Sequence, residues 1–297
     1  MTFLVLGNVA IDESMAAPAW PHPGATVLVG QPGRDLGGKG ANQALVLARA
    51  GALVRFVATI GSDDAGRWIG VALATEGLDT TGLVTLPGAS DRSLIFVAPS
   101  GENAIASTSH CSDALTPAHA EAALAEAASG DVLITQGGLN AETTAAAFAA
   151  ARRKGMTIVF NPSALRDGFD RLTGLADLLV LNHLEARQLA GDAPPPDLAR
   201  TLRSRGTRTV LITLGAGGAL ADGPDGTHHV DAVPAEVVDT TGAGDCYLAT
   251  LAAALHHHCM PLQSAMRAAA AAASITVTRR GTRAAFPTAA ELARILG

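Results

Sequence analysis

The sequence predicts an α/β fold, a mostly parallel sheet packed against helices, and three observations carry that prediction. Short β-branched runs alternate with alanine-rich helical stretches, the pattern of successive βαβ units. Glycines stand close behind the helical stretches, where a C-terminal stop is expected. Two segments rich in Gly, Pro, Thr and Ser interrupt the rhythm with strand-like patterning, so they belong to a small β-structure outside the main sheet.

Taken in order, Met1 to Asn8 reads as a first strand, with neither the basic n-region nor the apolar h-region of a signal peptide. Asp12 to Asp35 is the first outlying segment. A helix over Ala41 to Ala50 ends at Gly51, Val54 to Ile60 is a strand, and a helix over Ala65 to Glu76 stops at Gly77. Ala89 to His110 is the second outlying segment. A helix over Pro117 to Ala128 precedes Gly130, and Glu142 to Lys154 is a helix before Gly155; the strands among them are Val132 to Thr135 and Thr157 to Phe160. Leu178 to Leu181 and Thr209 to Leu214 are strands, with helices over Leu184 to Leu189 and Asp197 to Arg205 between them. Pro194-Pro195-Pro196 reads as a rigid loop joining those helices. Cys246 to Leu255 reads as a buried helix, and Ala265 to Val277 as a core helix running into a strand. No linker divides the chain, so residues 1–297 are expected to form one domain.

Composition removes several function classes. A chain of 297 residues with 48% hydrophobic residues has ample core material, and its net charge of −6 comes with no basic run, which argues against nucleic acid as a partner. The longest apolar tract is interrupted by Arg267, Ser274 and Thr276 and is too short to span a bilayer, so no membrane partner is expected. Cys111, Cys246 and Cys259 form no CxxC pair, and the expected compartment is a reducing cytoplasm. His256 and Cys259 have helical ligand spacing, but two ligands do not close a metal site.

Two glycine motifs carry the chemistry. Asp239-Thr240-Thr241-Gly242-Ala243-Gly244-Asp245 opens the apolar helix, so the amides of Gly242, Ala243 and Gly244 are placed to bind an anion. Asp245 then stands beside that anion as a candidate base for a hydroxyl group. The same residues also read as an ordinary helix cap. Near the start, Gly37-Gly38-Lys39-Gly40-Ala41-Asn42-Gln43-Ala44 almost matches a P-loop, but Gly40 stands where a magnesium-binding Ser or Thr is required. Read physically, Gly38 admits a polyol close to the backbone, while Lys39 and Asn42 offer donors to hydroxyl or phosphate groups.

The two motifs together resemble the signatures of the ribokinase-like sugar kinases, the PfkB family. Asn182-His183-Leu184-Glu185 matches the family's Asn-x-x-Glu element, Asn161-Pro162 and Thr213 to Gly218 match its nucleotide-side loops, and Val277 to Gly281 resembles its C-terminal turn. The resemblance covers nearly the whole chain. It implies a three-layer α/β/α sandwich with a central mostly parallel sheet and a small β-sheet lid from segments of about 12–35 and 89–110, a lid that family members often use as a homodimer interface.

The same resemblance implies roles. Asp245 takes the proton of a sugar hydroxyl as it attacks the γ-phosphate of ATP, beside the amides of Gly242, Ala243 and Gly244. Asp12, Gly38, Lys39 and Asn42 hold the sugar; Asn161, Asn182, Glu185, Thr213, Gly215 and Gly217 border ATP. Glu185 organises magnesium, mostly through water. Asp239 belongs to a potassium loop with the backbone around Thr241 and Gly281, although Ala285 stands where a serine ligand aligns. Two side chains that read ribose hydroxyls in ribose-specific members are replaced here by Ala10 and Gly138. The expected acceptor is therefore a small sugar, sugar acid or sugar alcohol, with a nucleoside as the alternative within the family and a non-catalytic sugar or nucleotide sensor outside it.

Overall fold

The computed structural model describes residues 1–20, 22–24, 26–98 and 103–297. Pro21, Ala25 and residues 99–102, inside the two expected lid segments, lie outside the described residues. The strands are β1 (Phe3–Leu6), β2 (Ala10–Ala16), β3 (Gly33–Gly37), β4 (Val54–Gly61), β5 (Leu83–Leu86), β6 (Arg92–Val97) and β7 (Asn103–Ser107). They continue with β8 (Val132–Gln136), β9 (Thr157–Asn161), β10 (Leu178–Asn182), β11 (Thr209–Thr213), β12 (Ala219–Gly223) and β13 (Gly226–Val230).

Nine strands form one sheet in the order β13-β12-β11-β10-β9-β8-β1-β4-β5. Every pairing from β11 to β5 is parallel, and only the β11-β12-β13 edge is antiparallel. Successive strand residues face opposite ways, and the two cores follow that alternation. Phe3, Val5, Val132 and Ile134 enter one core with the helices Lys39–Arg49, Ala243–Ala252 and Leu262–Val277. Leu4, Leu6, Leu133 and Phe160 enter the other with the helices Ala141–Lys154 and Pro195–Ser204. The result is the expected three-layer sandwich.

The outlying segments pair as a separate four-stranded sheet, β3-β2-β6-β7. Strands β2 and β6 run parallel while β3 and β7 pair antiparallel to them.

Three local expectations are corrected. Pro195 and Pro196 are not a loop but the first turn of the helix Pro195–Ser204, where the missing N–H groups cost nothing. The helix from Pro117 ends at Ala123 rather than Ala128. No strand follows Ala265: the helix runs unbroken from Leu262 to Val277 despite the β-branched Ile275, Thr276 and Val277. Hydroxyls at its end turn back onto the helix, Ser274 to the carbonyl of Ala271 at 2.8 Å and Thr276 to that of Ala272 at 3.1 Å.

Candidate active site

The carboxyl ends of the parallel strands converge on one edge, where ligands of doubly wound sheets bind. Beyond β1 and β8, roofed by the small sheet, lies a cavity of about 340 Å³. Its walls include Asp12, Gly38, Lys39, Asn42, Thr241, Gly242 and Asp245, so the two glycine motifs, far apart in sequence, line one space.

The helix Lys39–Arg49 begins here because Gly38 supplies a backbone turn with φ 90°, and a Cβ on it would lie 2.7 Å from Val9 Cα. Only glycine fits. The N-terminus of this helix is not open to an anion, since Ala41 N–H donates to the Asn8 carbonyl at 3.1 Å and Gly40 N–H to Asn8 Oδ1 at 3.3 Å.

The second motif is different. Gly242, with φ 76°, caps the helix Ala243–Ala252 without a side-chain bond. Ala243 N–H is spent on the Thr240 carbonyl at 3.3 Å, whereas the N–H groups of Gly242 and Gly244 have no acceptor among the described residues. A Cβ on Gly244 would meet nothing within 4 Å, so its backbone borders open space. Two amides at a helix N-terminus thus face the place an anion would take.

Asp245 is buried in the first turn of that helix. Its Oδ2 accepts from Asn42 Nδ2 at 2.9 Å, its Oδ1 accepts from Gln43 Nε2 at 3.0 Å, and Lys39 Nζ lies 3.8 Å from Oδ1. The neighbouring Cys246 is no rival nucleophile, because complete burial pushes its thiol up to about 11.

Asp12, at the start of the lid strand β2, faces the same cavity. Burial pushes its carboxyl up to about 7, opposed by a hydrogen bond from Ser93 and aided by the charges of Asp35 and Asp245. Gly37, diagonally across the strand pair from it, gives it room: a Cβ there would sit 2.0 Å from Asp12 Cγ. Arg166 joins the wall beside Gly138, donating to the Gly138 carbonyl at 3.3 Å and pairing with Asp113. Asn8 fills the space left by Gly138, where a Cβ would approach Asn8 Cγ to 2.7 Å.

The nucleotide-side candidates are outside this cavity but grouped. Asn161, Asn182 and Thr213 end the adjacent strands β9, β10 and β11, and Asn182 is directly paired with Thr213. Asn161 is anchored by its Nδ2 to the Val180 carbonyl at 2.9 Å. Asn182 and Glu185 form a capping box, Glu185 N–H to Asn182 Oδ1 at 2.8 Å and Asn182 N–H to Glu185 Oε2 at 3.0 Å. Gly215 and Gly217 bound a single 3-10 turn after β11, and Gly215 borders open space.

Asp239 does not line the cavity. Its two oxygens accept from Thr241 N–H and Gly281 N–H, each at 2.9 Å, so it clamps the anion turn to the C-terminal loop. Among the described residues no group of three or more His, Cys, Asp and Glu is gathered to hold a metal. A magnesium ion would fit through phosphate oxygens and water beside Glu185, whose Oε1 is not engaged in the cap.

Sequence reasoning assigned no role to Asn8, Gln43, Ser93, Gln136, Arg166 or Thr282. Gln43 stands inside one of the motifs that carry the resemblance, but its partners are distant in sequence.

Known proteins are similar to this chain along nearly its whole length. The model of the pfkB family carbohydrate kinases matches residues 3–289. The chain is 33% identical to the ribokinase of Haemophilus influenzae over 99% of its own length and 98% of that protein. Among solved structures, it superposes on the ribokinase of Thermotoga maritima with a TM-score of 0.89 at 26% identity, covering 99% of each chain. It superposes on the ribokinase of Cryptococcus neoformans in complex with ADP with a TM-score of 0.84 at 28% identity, covering 98% of each. The chain belongs to the pfkB family of carbohydrate kinases, enzymes that move a phosphoryl group onto an alcohol acceptor.

Proposed function

We propose that this kinase transfers the γ-phosphoryl group of ATP to a hydroxyl of a small sugar held between Asp12 and Asp245. The observation that carries the reading is the buried Asp245 carboxylate, fixed by Asn42 and beside the amides of Gly242 and Gly244, which have no acceptor among the described residues. As the acceptor oxygen bonds to the γ-phosphorus, Asp245 takes its proton and the bond to the β-phosphate oxygen breaks, its electrons leaving with ADP. The helix-end amides stabilise charge on the transferring group. Lys39, 3.8 Å from Asp245, offsets its charge. Asp12, Gly38 and Asn42 bind the sugar; Asn161, Asn182, Thr213, Gly215 and Gly217 border ATP. Magnesium, held through water by Glu185, would neutralise the phosphates, and a potassium ion at Asp239 would stiffen the anion turn. The enzyme is one domain of the cytoplasm, dimeric through its lid.

The lining supports a sugar over a nucleoside, because among the described residues no aromatic side chain faces the cavity. Ribose heads the acceptor panel on account of the Haemophilus relative's name. The panel also holds 2-deoxyribose, other pentoses and hexoses, sugar acids, sugar alcohols and nucleosides. With ATP and magnesium, one acceptor is expected to release ADP stoichiometrically with phosphorylated product, and Asp245→Asn to remove nearly all turnover. Full turnover by that variant would overturn the base assignment; tight acceptor binding without turnover would favour a sensor.

A further inference from the structure

Asp245 is held by more than the helix that carries it. Beyond Asn42, which lines the cavity, its Oδ1 accepts from Gln43 Nε2 at 3.0 Å, and Gln43 Oε1 accepts in turn from Gln136 Nε2 at 2.7 Å. Both glutamines are fully buried and neither borders the cavity. Gln136 ends β8, and its side chain reaches Gln43 only past Gly7, where a Cβ would lie 2.0 Å from Gln136 Oε1.

We infer that Gln43 and Gln136 form an amide relay that positions the carboxylate of Asp245; this rests on Asp245 acting as the base. A primary amide has a donor end and an acceptor end. If Gln43 turned over, its Oε1 would face Asp245 Oδ1 and its Nε2 would face the Gln136 donor. Both contacts would be repulsive, so Asp245 and Gln136 together fix which way Gln43 points, while Gln136 Oε1 has no hydrogen-bond partner among the described residues. Two buried amides are costly where apolar side chains of the same size would pack as well, and orientation of the carboxylate is what they supply. Oδ1 is occupied by Gln43 and by Lys39 at 3.8 Å, whereas among the described residues Oδ2 has only the Asn42 amide. The relay therefore presents Oδ2 as the atom that receives the acceptor's proton.

Gln43→Leu, Gln136→Leu and the double variant test this by steady-state kinetics beside thermal unfolding. Each single change is expected to lower kcat about 100-fold, the cost of a reacting group misplaced by about 1 Å, with KM for acceptor and ATP unchanged. The double variant should be no worse than Gln43→Leu, since the two amides act as one unit. Gln43→Glu keeps size and shape, and carries the test if the leucine variants do not fold. Its carboxylate would share a proton with Asp245, so the acid limb of the kcat profile should move to higher pH while Lys39 and Asp12, the other charges facing Asp245, stay as they are. Wild-type kcat in the leucine variants, a loss confined to KM, or an unmoved acid limb in Gln43→Glu would overturn the relay alone. A wild-type enzyme inactive on every acceptor would overturn the base assignment and the relay together.

Discussion

Asp12 shows how one residue can serve the ligand at the expense of the fold. Its carboxyl titrates at about 7 in the folded protein against 3.8 for the free group, mainly because it is buried. The folded state thus holds a proton that the unfolded chain gives up, so the stability tied to Asp12 is fully present below about pH 4 and is lost as pH rises through about 7. Asp12→Asn is therefore expected to be more stable than wild type at pH 8, on the order of 4 kcal/mol, with the difference vanishing near pH 4 in denaturant unfolding. The same variant should raise the acceptor KM at pH 8, because the ionised carboxylate is the better partner for sugar hydroxyls. In wild type, acceptor KM should fall from pH 6 to pH 8, and a flat profile would contradict a role for Asp12 in binding. Asp12 was legible only through the family resemblance, since its place after the first strand reads equally as a turn carboxylate. Gln43 was not legible, although it stands in a quoted motif, because its partners Asp245 and Gln136 lie 202 and 93 residues away.

At the scale of elements, the anion turn depends on the C-terminal loop that packs under it. Asp239 ties the turn to Gly281, and Thr282 donates to the Leu36 carbonyl of β3 at 2.7 Å. Arg283 pairs with Asp35 at 3.1 Å, and Arg49 reaches the carbonyls of Arg283 and Phe286, each at 3.2 Å. One loop thereby joins the turn, the lid strand and the first helix. Gly242 is where that packing is tightest: its φ is 76° and a Cβ would lie 2.8 Å from the Phe286 ring. Gly242→Ala is expected to lower kcat by about 100-fold through displaced amides, and to lower the melting temperature; unchanged kinetics would show that the turn does not touch the transferred group. Periodicity exposed the helices that follow the two glycine motifs but not the helix Ala289–Leu296 behind the loop. It misjudged residues 275–277, where local β preference pointed to a strand and the helix packed between Ala243–Ala252 and the sheet kept its course.

For the whole molecule, the sheet order places the end of β1 and β8 beside that of β9, β10 and β11, so acceptor and nucleotide candidates share one edge. The alternation of βα units made that edge legible, and the two interruptions made the lid legible as a separate β-structure. Its outer face was not legible, because pattern alone does not say what covers a small sheet. Ser93 and Ile95 face the cavity, so Leu94 between them points away from it, 39% exposed. An isolated four-stranded sheet leaves such a side chain in water unless another surface covers it. The dimer proposed through the lid would supply that surface, as an isologous contact of the same face on two copies. Sedimentation equilibrium is expected to give a dimer, and Leu94→Glu to shift it toward monomer by placing two like charges near the two-fold axis, while β2 keeps its pairing with β6 beneath. A monomeric wild type, or a Leu94→Glu variant as dimeric as the parent, would remove this face from the interface.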